Sequence, residues 1–377
     1  MQILIAPGAF KHSLGAGQAA EAIRKGLAEA LPSATLHLLP IADGGNGTLD
    51  AWLAQGGERY SLTVHDPLLR PIEAEYGMLP DKRTAIIEMA TASGIELLSS
   101  AERDPLTATS YGTGELLQAA LEKGARRFII GMGGSATVDG GSGALCALGV
   151  KLLDANNKEI PQGGGYLTQI VSIDSSGLDP RWGECEIIIA SDVENTLLGE
   201  TGASTVFAPQ KGASADDVMT LEANLAHFAD MLVAHGCPDI RDVIGTGAAG
   251  GLSAGLMAFI GGEILSGIDL LLDYNQFEDA LQKADLVITG EGQMDEQTVF
   301  GKGPIGVARL AQTYNIPTIA LVGGLNVHDR ILHDAGINAV FSVVDKPMSL
   351  ENAIGNAEVL LERAALRVGY MLKMMSV

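Results

Sequence analysis

At 377 residues with a formal net charge of -22, the chain is long enough for two hydrophobic cores and repels nucleic-acid phosphates and anionic membrane surfaces. Its three cysteines, Cys146, Cys185 and Cys237, are too few and too scattered for a disulfide framework or a zinc site, while 48 glycines and few aromatics suit a turn-rich α/β protein. No apolar run approaches the ~20 residues of a membrane span, and Met1 leads into an apolar segment without a basic leader, so the expectation is a cytoplasmic protein with neither a nucleic-acid nor a membrane partner.

Residues 3–6 form an apolar run that stops at Pro7, and Ala22, Ile23 and Leu27 then recur at helical spacing within 19–31, which predicts strand, loop and helix. Residues 35–41 predict a second strand, emptying into Asp43-Gly44-Gly45-Asn46-Gly47 ahead of an amphipathic segment with Leu49, Trp52 and Leu53. In the middle, 60–64, 72–78 and 84–89 read as consecutive strands separated by turns at Asp66-Pro67 and Pro80-Asp81. A helix over 113–122, strands over 128–131 and 186–190, and a long helix over 215–235 follow. The runs 286–289, 318–322 and 340–344 then restore the β rhythm of the N-terminus. Such continuous apolar runs mean burial on both sheet faces, hence parallel strands with helices on either side. The fold class expected is α/β, with one parallel-sheet domain assembled from 1–60 and 270–377 and a second, inserted α/β domain over 61–269.

The candidate chemistry sits where these strands end, because ligands of open α/β sheets collect at the carboxyl ends of strands. After the first strand, Lys11 offers an ammonium for a phosphate or carboxylate, and Ser13 is placed to cap the following helix. After the second, Asp43 with Gly44 and Gly45 offers a carboxylate for Mg²⁺ or a hydroxyl among exposed backbone N–H groups. Gly133, Gly134 and Ser135 follow the strand at 128–131 and suit an anion; Asp139, just beyond, serves a ligand or, preferably, a helix cap. Asp192 follows the strand at 186–190 and is the candidate base. Lys211 lies in a turn, and Glu291 and Asp295 follow the strand at 286–289 with Lys302 shortly after, a set suited to substrate or metal contacts. A solvated lysine, a tight turn and a turn aspartate are the bland readings of the same residues. Glycine-rich segments at 133–149 and 245–261 share small-residue tails without amounting to a repeat.

There is no G-x-x-x-x-G-K-[ST] loop and no histidine cluster, and the strand-end segment 131–136 lacks the third glycine of the G-x-G-x-x-G fingerprint, which sets aside Walker-type and metallohydrolase readings and weakens the dinucleotide one. What is left, glycine, aspartate and lysine at strand ends, suits positioning and charge stabilisation during phosphoryl transfer.

The segments Ile5-Ala6-Pro7, Phe10-Lys11, Ser13-Leu14, Ala42-Asp43-Gly44-Gly45, Gly133-Gly134-Ser135-Ala136-Thr137 and Ile288-Thr289-Gly290-Glu291-Gly292, in this order, resemble the bacterial glycerate kinase family. Glu88-Met89-Ala90, Tyr111-Gly112-Thr113-Gly114-Glu115, Pro209-Gln210-Lys211-Gly212 and the stretch 245–251 extend the likeness over essentially the whole chain. The resemblance implies a Rossmann-like domain plus a second α/β domain, and an ATP- and Mg²⁺-dependent transfer to D-glycerate giving 2-phosphoglycerate, with the active site in the cleft between the domains. Carried onto matching positions, it implies Lys11 as an anion-binding cation, Asp192 as base, and Asp43, Ser135, Glu291 and Asp295 as cleft residues, with Asp43 and Asp295 as the metal candidates. Gly8 and Ala9 stand where the family customarily has Asp-Ser, Asn46 replaces an acid, Val138 replaces Asn and Ser191 replaces Cys. The altered first loop motivates the alternative of a non-catalytic sensor that binds glycerate or nucleotide. Neither composition nor motif decides between a monomer and a homo-oligomer.

Overall fold

Ile3, Leu4, Ile5 and Ala6 are all fully buried, as a strand covered on both faces requires. They belong to the first of two units in a computed structural model that describes residues 1–42, 44–295 and 303–375; the units are Met1–Gln55 with Ile268–Val377, and Gly56–Gly267.

The first unit holds a five-stranded, wholly parallel sheet in the order Ala339–Ser342, Thr318–Asn326, Leu286–Asp295, Gln2–Pro7, Thr35–Leu38. Alternate residues feed opposite cores: Ile3, Ile5, Ile288 and Leu321 pack on one side with Ile23 and Leu27 of helix Ala16–Ala30 and Leu361 of helix Ala357–Met375. Ala320 and Val322 pack on the other with Ile305 and Leu332. The helices Ala16–Ala30 and Ala357–Met375 cross at Gly26, where a Cβ would stand 2.1 Å from the Glu362 carbonyl oxygen. The chain moves outward in both directions from the central pair Gln2–Pro7 and Leu286–Asp295, so a topological switch point lies between them.

Two strand ends differ from the sequence reading. The strand expected over 286–289 runs on to Asp295, because its ladder with Thr318–Asn326 continues until Asp295 faces Asn326. Gly290 and Gly292 make this extension possible: a Cβ on Gly290 would stand 2.1 Å from the Leu321 carbonyl. The strand expected over 35–41 ends at Leu38, although the Leu39 and Ile41 amides still donate to the Ile5 and Pro7 carbonyls at 2.9 and 3.0 Å.

The second unit holds a six-stranded sheet in the order Glu263–Leu265, Glu186–Ala190, Arg127–Gly131, Thr84–Glu88, Pro71–Met78, Glu58–His65. Its first four strands are parallel and the last two run antiparallel to their neighbours. Ile87, Phe128, Ile130, Ile187 and Ile189 pack against Leu116, Leu117 and Leu121 of helix Tyr111–Lys123, and the Phe128 ring lies 4.9 Å from that of Trp182. Each such burial contributes roughly 1.5–3 kcal/mol. The long helix Ala215–Ala234 starts where Ser214 and Asp217 cap each other's backbone amides and buries Leu221, Leu225 and Phe228 in a second cluster. The strands Lys151–Leu153, Ser172–Asp174 and Glu263–Leu265 were not anticipated, since three residues are too few to show a period.

Candidate active site

In the first unit, three loops meet at the switch point. The Gly8 amide donates to the Gly290 carbonyl at 2.8 Å, and the Thr289 hydroxyl donates to the Ala6 carbonyl at 2.8 Å. A Cβ on Gly292 would lie 3.1 Å from the Lys11 nitrogen of the backbone, and one on Gly47 would lie 3.4 Å from the Ala9 Cβ. Lys11, Gly44, Gly45 and Glu291 are thereby gathered at the carboxyl edge of one sheet, with the Lys11 side chain exposed and Glu291 half-buried. Asp295 stands four residues farther along the same strand, about 13 Å from Glu291 at the usual strand rise, so these two carboxylates do not share one ion. Asp43 and Lys302 lie outside the described residues.

Ser13 does not cap the helix. Gly15 is the N-cap and its amide donates to the Gln18 side chain at 3.1 Å, while the Ser13 hydroxyl donates to the Phe10 carbonyl at 2.8 Å and closes the loop on itself. Backbone bonds between Phe10 and Leu14 in both directions tighten that loop enough to put His12 in the left-handed region at φ 64°. The cap expected from the residue type therefore yields to turn closure.

In the second unit, Gly133 and Asp192 each lie two residues beyond the register pair Gly131 and Ala190, so they leave adjacent parallel strands at the same edge. Glu88 ends the next strand opposite Gly131 and is buried, a carboxylate at this edge that sequence reading passed over although it sits in a matching motif. The loop after Gly131 is held by its neighbours: the Ala136 amide donates to the Ser93 carbonyl at 2.9 Å, and the Ile95 amide donates to the Gly134 carbonyl at 2.8 Å. Ala249, Gly250 and Gly251 are three successive left-handed residues at φ 52°, 64° and 87°. There a Cβ on Gly250 would stand 2.0 Å from the Thr137 carbonyl. The glycine-rich stretch is therefore a kinked start to the helix Ala248–Ile260, packed on the 133–141 loop.

The centre of this arrangement is Lys211, on the short 3-10 turn Pro209–Lys211. Its side-chain nitrogen is buried and donates to the Ser135 hydroxyl at 2.7 Å and to the Thr137 carbonyl at 2.7 Å. Burial pushes this lysine down to about 7, with the charge of Asp139 pulling the other way. Asp139 is itself fully buried, which pushes its carboxyl up. Against that, it accepts from the Ser110 amide and hydroxyl, both at 2.8 Å, and from the Gly141 and Gly143 amides at 3.1 and 3.2 Å. Those donors belong to the starts of the helices Tyr111–Lys123 and Ser142–Ala147, so Asp139 caps two helices at once. The Thr137 hydroxyl is buried with no partner among the described residues, and Ser135 retains 8% exposure. A lysine, two hydroxyls and glycine backbone at a strand end make a small pocket for an anionic oxygen. The described residues contain no group of three His, Cys, Asp or Glu that could hold a metal, and no helix among them is long and apolar enough to cross a membrane.

Residues 3–373 match the model of the glycerate kinase family. The chain is 47% identical to the glycerate kinase of Bacillus subtilis (strain 168) over 375 residues, 99% of this chain and 98% of that one. It is 48% identical to the glycerate 2-kinase of Escherichia coli (strain K12) over 359 residues, covering 95% and 94% respectively. A crystal structure assigned to glycerate kinase 2 of Salmonella typhimurium LT2 superposes with a TM-score of 0.86 at 45% identity, covering 100% of this chain and 99% of the other.

Proposed function

The chain belongs to the glycerate kinase family, and from that premise we propose that it transfers the γ-phosphoryl group of ATP to the 2-hydroxyl of D-glycerate, giving 2-phosphoglycerate and ADP. The observation that carries the reading beyond family membership is the buried Lys211 bound to Ser135 and Thr137 at a strand end, a ready-made seat for a carboxylate or phosphate oxygen.

In this reading Lys211, Ser135 and the backbone of Gly133 and Gly134 hold an anionic group of a substrate. Asp192 accepts the proton of the attacking hydroxyl, a role its place just past Ala190, on a rigid buried strand, supports. Lys11 neutralises phosphate charge, and Gly44, Gly45 and Glu291 line the same sheet edge, with Ser13 stiffening the loop that presents Lys11. Asp43 and Lys302 keep their expected roles in metal and phosphate contact as part of the proposal. Phosphoryl transfer needs little covalent chemistry from the protein, so positioning and charge stabilisation account for most of the acceleration.

Mg²⁺ fits the donor set. With no three-carboxylate cage among the described residues, the ion would be held by one or two carboxylates, Asp295 among them, plus substrate oxygens and water, as Mg²⁺ prefers. When bound it would neutralise charge on the nucleotide phosphates. The reading is tested by D-glycerate-dependent ADP release: turnover with D-glycerate and none with acceptor omitted supports it, whereas tight D-glycerate binding without ADP release would favour the sensor.

A further inference from the structure

We propose that Lys211 is a proton-coupled anion switch: above neutral pH the free protein holds it as an amine satisfied by Ser135 and Thr137, and an anionic substrate oxygen then binds together with a proton taken from solvent. This rests on the reading of Lys211 as the anion-binding group.

The argument is a count of hydrogen bonds. A neutral amine has two N–H groups and an ammonium has three. The fold supplies acceptors for two, the Ser135 hydroxyl oxygen and the Thr137 carbonyl. Among the described residues the third N–H of the ammonium has no acceptor, and a buried unsatisfied charged donor is costly. Among the described residues no carboxylate bonds to the nitrogen; the acid whose charge acts on it is Asp139, whose oxygens are engaged by four donors from Ser110, Gly141 and Gly143. Around the Pro209–Lys211 turn, the helix Ala203–Phe207 carries no ionisable residue, and Arg103 packs its backbone and Cβ against Gly212. On the helix Ala215–Ala234, Asp217 is engaged by Ser214. The orphaned Thr137 hydroxyl is a second buried group awaiting a partner at the same place. A ligand oxygen supplies what both lack, and its charge fixes the proton on Lys211. With the free lysine at about 7, the surroundings leave it close to balance between the two forms at neutral pH.

The test is titration calorimetry on the whole protein, with D-glycerate and, separately, a non-hydrolysable ATP analogue, in buffers of low and high ionisation enthalpy. The glycerate carboxyl, with a pKa near 3.5, stays ionised throughout, so its arm is free of ligand titration; nucleotide phosphates titrate near 6 and are read at pH 8. The expected dependence on buffer enthalpy corresponds to uptake of about 0.9 proton at pH 8 and about 0.1 at pH 6. Uptake in the glycerate arm places the carboxylate on Lys211; uptake only with the nucleotide places a phosphate there. Lys211→Arg, which stays charged, should bind without uptake. Binding by the native protein with no buffer dependence at pH 8 overturns the switch and leaves the anion site standing, whereas Lys211→Met binding like the native protein overturns the anion site itself. If binding heats are too small to resolve, kcat/KM for D-glycerate decides: it should fall about tenfold per pH unit above 7 in the native protein, but not in Lys211→Arg. A native profile no steeper than that of the arginine variant overturns the proposal.

Discussion

Replacing Lys211 with methionine should remove activity and yet stabilise the protein at low pH. The wild-type lysine is held at about 7 against 10.5 in the unfolded chain, so folding below pH 7 requires burying an unwilling charge. That difference corresponds to a penalty of about 5 kcal/mol at pH 6. The sign follows from proton counting: between pH 7 and 10.5 the unfolded chain holds more protons at this site, so the penalty shrinks as pH rises, to about 2 kcal/mol at pH 9. Methionine lacks the charge but leaves the Ser135 hydroxyl and Thr137 carbonyl without their donor, which costs about 1–3 kcal/mol for each buried group. Those losses offset much of the gain and are independent of pH. The stability difference between variant and wild type should therefore move against the variant by about 3 kcal/mol between pH 6 and pH 9, whatever its absolute value. Trp182 reports on this unit, with Trp52 removed as phenylalanine in both proteins so that urea unfolding followed by fluorescence is specific to it. A difference that does not change with pH would refute the reasoning.

Asp192→Asn should lower kcat by roughly 10²–10⁴-fold while leaving the KM for ATP within about threefold, as expected for loss of a proton acceptor; wild-type turnover at saturating substrates would remove Asp192 from that role. Chelation with EDTA should abolish turnover and leave the unfolding midpoint unchanged, with Mg²⁺ restoring activity; a lowered midpoint would show a metal built into the fold. Gly250→Ala combines a left-handed φ of 64° with a Cβ 2.0 Å from the Thr137 carbonyl, so it should cost about 2–4 kcal/mol in urea unfolding and raise the KM for D-glycerate by displacing an acceptor of Lys211. Native-like stability and KM together would contradict that packing.

The fold class was legible because its strands announce themselves. Ile3 to Ala6, Phe128 to Ile130, Ile187 to Ala190 and Leu286 to Ile288 are apolar runs buried on both faces. Hidden were the features set by partners distant in sequence. Gly290 to Asp295 reads as a loop and becomes strand only because Thr318–Asn326 continues the ladder beside it. Ser13 reads as a cap, and the competing closure of its own turn decides otherwise. The Lys211 to Ser135 contact spans 76 positions, and neither residue's local sequence announces the other. Thr137 and Asp139 lay within the recognised glycine-rich segment, but one being orphaned and the other capping two helices are consequences of burial alone.

The most direct test of the central claim is phosphorus NMR of the products formed by the purified protein with ATP, Mg²⁺ and D-glycerate. A 2-phosphoglycerate resonance growing in step with ADP is the predicted result. ATP left intact, or consumed with no phosphoglycerate formed, would contradict it.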